Sequence, residues 1–187
     1  FNRTVRKNMR VITVDGKLNP GEWSGITQMP INRDGTKIGS VQVTFDKTNL
    51  YLAYDIQDPN GLKNDGHELP YAPFAPGSYV DFDLAQDWST PNRSQNLEGD
   101  VRVILARIST SKQSDYQMGF WPIKQDLKKY AMRQASHTQN ISSPAQERHF
   151  DDISSLPGLI FAYRITSKGY TLEVSVPFAS LGNDPEK

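Results

Sequence analysis

At 187 residues the chain is long enough to bury a sizeable core as a single domain, and its 21 Lys and Arg balance its 21 Asp and Glu. That balance leaves no general field to draw nucleic acid or an anionic membrane surface. The lack of Cys excludes a disulfide framework, a thiolate zinc site and a thiol nucleophile, and no apolar run is long enough for a membrane-spanning helix.

The chain begins at Phe1 without Met, which reads as processing or excision from a longer polypeptide. A basic lead-in from Arg3 to Arg10 precedes Val11-Ile12-Thr13-Val14, predicted as a short first strand. Asp15-Gly16 and Asn19-Pro20-Gly21 are turn chemistry, and Trp23 is the first large apolar anchor of the core. Val41, Val43 and Phe45 alternate with polar residues, as do Leu50, Leu52, Tyr54 and Ile56. The two runs predict a β-hairpin closed by a four-residue loop, Asp46 to Asn49. From Asp58 to Gly77 the chain turns irregular, a length of loop that more often serves function than mere connection.

Val80, Phe82 and Leu84 alternate with Tyr79, Asp81 and Asp83, so the two acids share the outward face of a strand. Val101 to Ile108 is apolar on both faces, and Tyr116, Met118 and Phe120 give another short run that ends in Trp121-Pro122. The stretch from Lys124 to Asp152 is polar with little periodicity and reads as an excursion, with a helical turn or two over Gln125 to Arg133. Leu159, Phe161, Tyr163 and Ile165 form the penultimate strand, which hairpins at Ser167-Lys168-Gly169 into the last. There Tyr170, Leu172, Val174, Val176 and Phe178 lie opposite Thr171, Glu173 and Ser175. This is the pattern of a half-buried strand, followed by one helical turn and a glycine stop at Gly182. About eight short strands without a long helix predict an all-β chain, an antiparallel β-sandwich.

Catalytic chemistry is thin. His67, His137 and His149 are scattered without metal-ligand spacing and read as solvated, and neither a nucleophile elbow nor a phosphate loop is present. Asp81 and Asp83 project side by side, whereas the acid and nucleophile of a glycosidase face each other across a cleft, so no enzyme is expected. Two constellations remain. Asp55, Asp58, Asn60, Asn64 and Asp65 offer hard oxygens around tight turns, as a calcium site needs. Tyr71, Phe74, Trp88, Phe120 and Trp121 offer aromatic faces of the kind that suits a sugar.

Four ordered stretches, VDGKLNPGEW at 14–23, NLYLAYDIQDPN at 49–60, GSYVDFDLA at 77–85 and GYTLEVSVPFASLG at 169–182, resemble the signatures of family 9 carbohydrate-binding modules. The resemblance implies a β-sandwich of jelly-roll type in secreted or cell-surface modular proteins, binding polysaccharide, with calcium in a structural role. Asp81 stands at the family's acidic strand position and Arg102 at its arginine, the candidate donor to sugar hydroxyls. Phe74 falls near the first of two sugar-stacking Trp, while the strands that carry the second have no counterpart before Lys187. The chain is therefore expected to be a piece of a larger protein or to be completed by another segment. The expected ligand-binding set is Phe74, Asp81, Trp88, Arg102 and Trp121, and the expected metal set is Asp55, Asp58, Asn60 and Asp65. Two alternatives stay open: a haem-binding domain of similar fold, with Met118 and a Lys or His as axial ligands, and a purely structural domain in a surface assembly.

Overall fold

The alternating runs become strands. The computed structural model describes residues 5, 7, 10–64, 77–85, 94–108, 114–123, 137–142 and 147–182, and its ten strands form two antiparallel sheets of five. Among the described residues helix is confined to two single turns, α1 (Pro20–Trp23) and α2 (Phe178–Leu181). The all-β, two-sheet antiparallel class predicted from the pattern is the one observed. Among the described residues no helix is long and apolar enough to cross a membrane. The chain divides into two compact units, each built on one sheet.

The first unit has the order β1 (Gln28–Arg33), β2 (Thr36–Phe45), β3 (Asn49–Ile56), β10 (Tyr170–Pro177), β9 (Ile160–Ile165). The last strand of the chain is thus paired on both sides, with Val174 opposite Leu52 on β3 and Phe161 on β9. Leu172, Val174 and Val176 are buried on one of its faces, but so are Glu173 and Ser175 on the other. The face expected to be polar and outward is covered by the N-terminal segment, where Ile12, Trp23 and Ala53 cluster with Leu18, Ile26 and Tyr51. Residues 11–14, predicted as a strand, join neither sheet. Ile12 packs into that cluster, and the amides that follow it are directed to a side chain instead of a ladder.

The β1–β2 hairpin was not foreseen. Its turn residues Asp34 and Gly35 have φ of 50° and 78°, the left-handed pair that matches the twist of a two-residue hairpin. Pro30 sits within β1 because β1 is the edge of its sheet, where a missing N–H costs little. The β2–β3 hairpin is as predicted, but its loop is one residue shorter, since Asn49 already belongs to β3. Asp46 closes that loop, its Oδ1 accepting the Thr48 and Asn49 amides at 2.7 and 2.8 Å and its Oδ2 the Tyr51 hydroxyl at 2.8 Å. Burial pushes the Asp46 carboxyl up, but these donors outweigh it and hold it below its ordinary value. After Pro177, α2 makes the expected single turn and stops at Gly182, with φ of 80°.

The second unit has the order β4 (Val80–Leu84), β5 (Val101–Ile108), β6 (Ser114–Trp121), β8 (Glu147–Ser154), β7 (His137–Ser142). β5 is buried on both faces, as its apolar run predicted. On one face Ile104, Phe120, Phe150 and Ile153 cluster, with Tyr79 and Met118 against them and the Phe120 and Phe150 rings edge to face at 5.4 Å. β7 and β8 fall in the stretch read as an excursion. Their register shifts between His137, opposite Ile153, and Gln139, opposite Phe150. Such a bulge puts Phe150 and Ile153 in one cluster although they are three apart in the chain, which hides the strand from a test for period two. The predicted turn over Gln125 to Arg133 lies outside the described residues.

Candidate functional site

Strands β4 and β5 run antiparallel with Asp83 opposite Arg102 and Asp81 opposite Ile104. Directly opposed residues share a face, so Tyr79, Asp81 and Asp83 stand on the same side of the sheet as Arg102, while Val80 on the other side is buried. Arg102 donates from Nε to Asp81 Oδ2 at 2.7 Å and from Nη2 to the same oxygen. The two side chains keep 27% and 32% of their surface. Burial pulls the guanidinium pKa down, but the charge and hydrogen bonds of Asp81 more than reverse this, with Asp83 and Tyr79 adding to them. Arg102 is therefore a fixed cation.

Asp83 is exposed, yet its carboxyl is pushed up, first by the protein packed against it. Arg102 and Arg148 oppose that effect and Asp81 reinforces it. Two acids and two arginines thus make a locally neutral group with strong donors and acceptors. A half-exposed pair such as Asp81 and Arg102 contributes only about 0–1 kcal/mol to folding. The arrangement can hold a polar ligand by hydrogen bonds in a set geometry.

Of the remaining expected ligand residues, Phe74 and Trp88 lie outside the described residues. Trp121 is described, at the end of β6, and corrects the expectation of a stacking face: it is fully buried, and a Cβ added at Gly119 would lie 2.4 Å from its ring. Its aromatic surface is core packing. Met118 packs on the Phe120 cluster. His67 lies outside the described residues, His137 is on β7, and His149 is exposed on β8, 2.9 Å from Asp151 Oδ1.

Of the expected calcium ligands, Asp55, Asp58 and Asn60 are among the described residues. Asp55 is exposed on β3, and Asp58 closes its own turn, its Oδ1 accepting the Asn60 amide at 2.9 Å and its carbonyl the Gly61 amide at 3.0 Å. Asp65 lies outside the described residues. Among the described residues no three His, Cys, Asp or Glu side chains are grouped to hold a metal, and no role is assigned to calcium.

One polar centre was missed. Glu173, read from the alternation as outward-facing, has no exposed surface. Its Oε1 accepts the Trp23 indole N–H at 2.7 Å, and its Oε2 accepts the Gly16 and Asp15 amides at 2.8 and 3.0 Å. Burial pushes this carboxyl up, the three donors pull it down and burial prevails, with Glu22 adding a smaller push upward. The signal in the sequence was an acid enclosed by Leu172 and Val174, with Asp-Gly and Trp23 as complementary donors far earlier in the chain.

No family model matches the chain, and no curated protein matches it. Among solved structures it is similar to a family 9 carbohydrate-binding module from Caldicellulosiruptor kristjanssonii, determined in complex with glucose. The match has a TM-score of 0.48 and 12% sequence identity, and covers 92% of this chain and 68% of that one.

Proposed function

We propose that this chain is a non-catalytic saccharide-binding module, with the Asp81–Arg102 pair at its site and a polysaccharide of the cell exterior or surface as its ligand, carried within a larger protein. The observation that supports this reading is the pair itself: a guanidinium held from one side by a carboxylate, on adjacent strands and partly open to solvent. Two of its five N–H groups serve Asp81, which leaves three to meet ligand oxygens from a fixed position. Sugars present the matching surface, hydroxyl edges around apolar C–H faces, and the proposed stacking rings are Phe74 and Trp88.

The test is Asp81→Ala, assayed by retention on a glycan array and by thermal melting. Binding is expected to weaken by roughly 2- to 10-fold, because Arg102 loses its anchor and the ligand must then immobilise it. The melting temperature is expected to fall by no more than about 4 °C, as suits a partly exposed pair worth roughly 1 kcal/mol. Undiminished glycan binding, or a much larger loss of stability, would assign Asp81 to structure instead.

A further inference from the structure

Beside the pair stands a carboxylate that is hydrogen-bonded to neither of its members. Asp83 is opposite Arg102 across the β4–β5 ladder and two residues along from Asp81, on the same face. Among the described residues none donates a hydrogen bond to it. It lies at the solvent boundary, exposed but close enough to its neighbours that their packing raises its carboxyl.

We propose that Asp83 determines the specificity of the site, accepting hydroxyl hydrogens of the ligand beside the Arg102 donors and so selecting neutral saccharides over uronates. This rests on the saccharide-binding reading given above. An ionised carboxylate only accepts hydrogen bonds and a guanidinium only donates them, whereas a sugar hydroxyl does both. Directly opposed side chains on paired strands have Cβ atoms about 5 Å apart, so neighbouring hydroxyls of one ring can engage Arg102 and Asp83 together. A uronate can use the arginine, but its own carboxylate then lies against Asp83 and Asp81. The groups facing Asp83 are Asp81 on its own strand, Arg102 on β5 and Arg148 on β8, so the four charges cancel and supply no net attraction to offset that repulsion.

The pH dependence follows with a definite sign. Asp83 accepts best when ionised, and its carboxyl takes up a proton above the ordinary range as pH falls. Affinity for a neutral sugar therefore declines on acidification.

The experiment uses the full chain, Asp83→Ala and Asp83→Asn on an array of gluco-, manno-, xylo- and oligogalacturonate oligosaccharides, at neutral pH and at about pH 4. The native chain is expected to be retained by a neutral oligosaccharide and not by oligogalacturonate, and more weakly at the acid pH. Asp83→Ala should weaken neutral binding by roughly 10- to 100-fold, the loss expected for a charge-assisted hydrogen bond. Asp83→Asn should flatten the pH profile and admit oligogalacturonate, a gain that a merely structural residue would not produce. Variants that keep the native affinity, selectivity and pH profile overturn the role of Asp83 and leave the saccharide reading standing, as does a native chain that prefers uronates. A native chain retained by no glycan at either pH overturns both.

Discussion

Replacing Glu173 with Gln changes one oxygen of a fully buried carboxylate into an NH₂ group. Three donors point at the carboxylate in the native chain: the Trp23 indole at one oxygen, and the Asp15 and Gly16 amides at the other. An amide has one oxygen, so in either orientation at least one of these donors faces another donor and is left unsatisfied away from water. An orphaned buried donor costs about 1–3 kcal/mol, and the loss of charge assistance on the remaining bonds brings the total to about 2–4 kcal/mol. For a chain of this size each kcal/mol lowers the melting temperature by about 2–4 °C, so Glu173→Gln should melt roughly 4–16 °C below the native chain. Trp23→Phe removes the indole donor and leaves the two amides, and a double-mutant cycle between positions 23 and 173 should give a coupling of at least about 1 kcal/mol. The assays are thermal melting and urea unfolding, followed by intrinsic fluorescence and, for variants that lack Trp23, by circular dichroism. A Glu173→Gln chain that melts within about 2 °C of the native one, or a coupling near zero, would refute the claim that this carboxylate fastens the N-terminal segment to the sheet.

Gly119→Ala places a Cβ 2.4 Å from the Trp121 ring, and the overpacking should cost about 1–3 kcal/mol in urea unfolding; an unchanged midpoint would mean that the ring is free to move away. Asp46→Ala removes the acceptor for Thr48, Asn49 and Tyr51 and should cost about 1–3 kcal/mol at neutral pH. Because the folded pKa of Asp46 is depressed, its contribution is present above the ordinary carboxylate value of about 4 and is lost as pH falls through the lower folded value. The gap between native and variant stabilities should therefore close in acid, and a gap that is constant from neutral pH down to about pH 2 would contradict the assignment.

Local periodicity was enough where a strand alternates strictly and its neighbours follow in the chain. The β2–β3 hairpin and β10 are such cases, and both were legible. It misled at residues 11–14, where β-branched residues suggest a strand but the next two amides have the Glu173 carboxylate as acceptor. That acceptor lies more than 150 residues away in sequence. It was silent at β1, whose apolar residues Met29 and Ile31 flank Pro30 on an edge strand, and at β8, whose bulge breaks the period. In the site, the shared face of Asp81 and Asp83 was legible from alternation, whereas the pairing with Arg102 follows from β4 and β5 being neighbours. The burial of Trp121 was harder to see, since an aromatic at the end of a strand looks the same whether it faces solvent or core. Gly119, two residues earlier on the same face, was the sign that its ring folds back onto the sheet.

Glu173 and Asp81 are both strand acids that interrupt apolar runs, and alternation alone assigns them the same outward place. Their surroundings separate them. Glu173 has no exposed surface and meets three donors from elements distant in sequence, so its removal leaves buried groups unsatisfied and must appear as lost stability. Asp81 meets a guanidinium from the adjacent strand, and both side chains keep part of their surface in water, so its loss should cost the fold less than that of Glu173. What Asp81 supplies is position: without it the long Arg102 side chain regains its rotamers, and a ligand must then immobilise it at a cost of about 0.5–1.5 kcal/mol in affinity. The pair of variants Asp81→Ala and Asp81→Asn distinguishes anchoring from charge. Asn keeps one oxygen for Arg102 and should retain part of the glycan binding that Ala loses, with both melting close to the native chain. Equal loss of binding in the two variants would show that the negative charge, and not the placement of Arg102, is what the ligand requires.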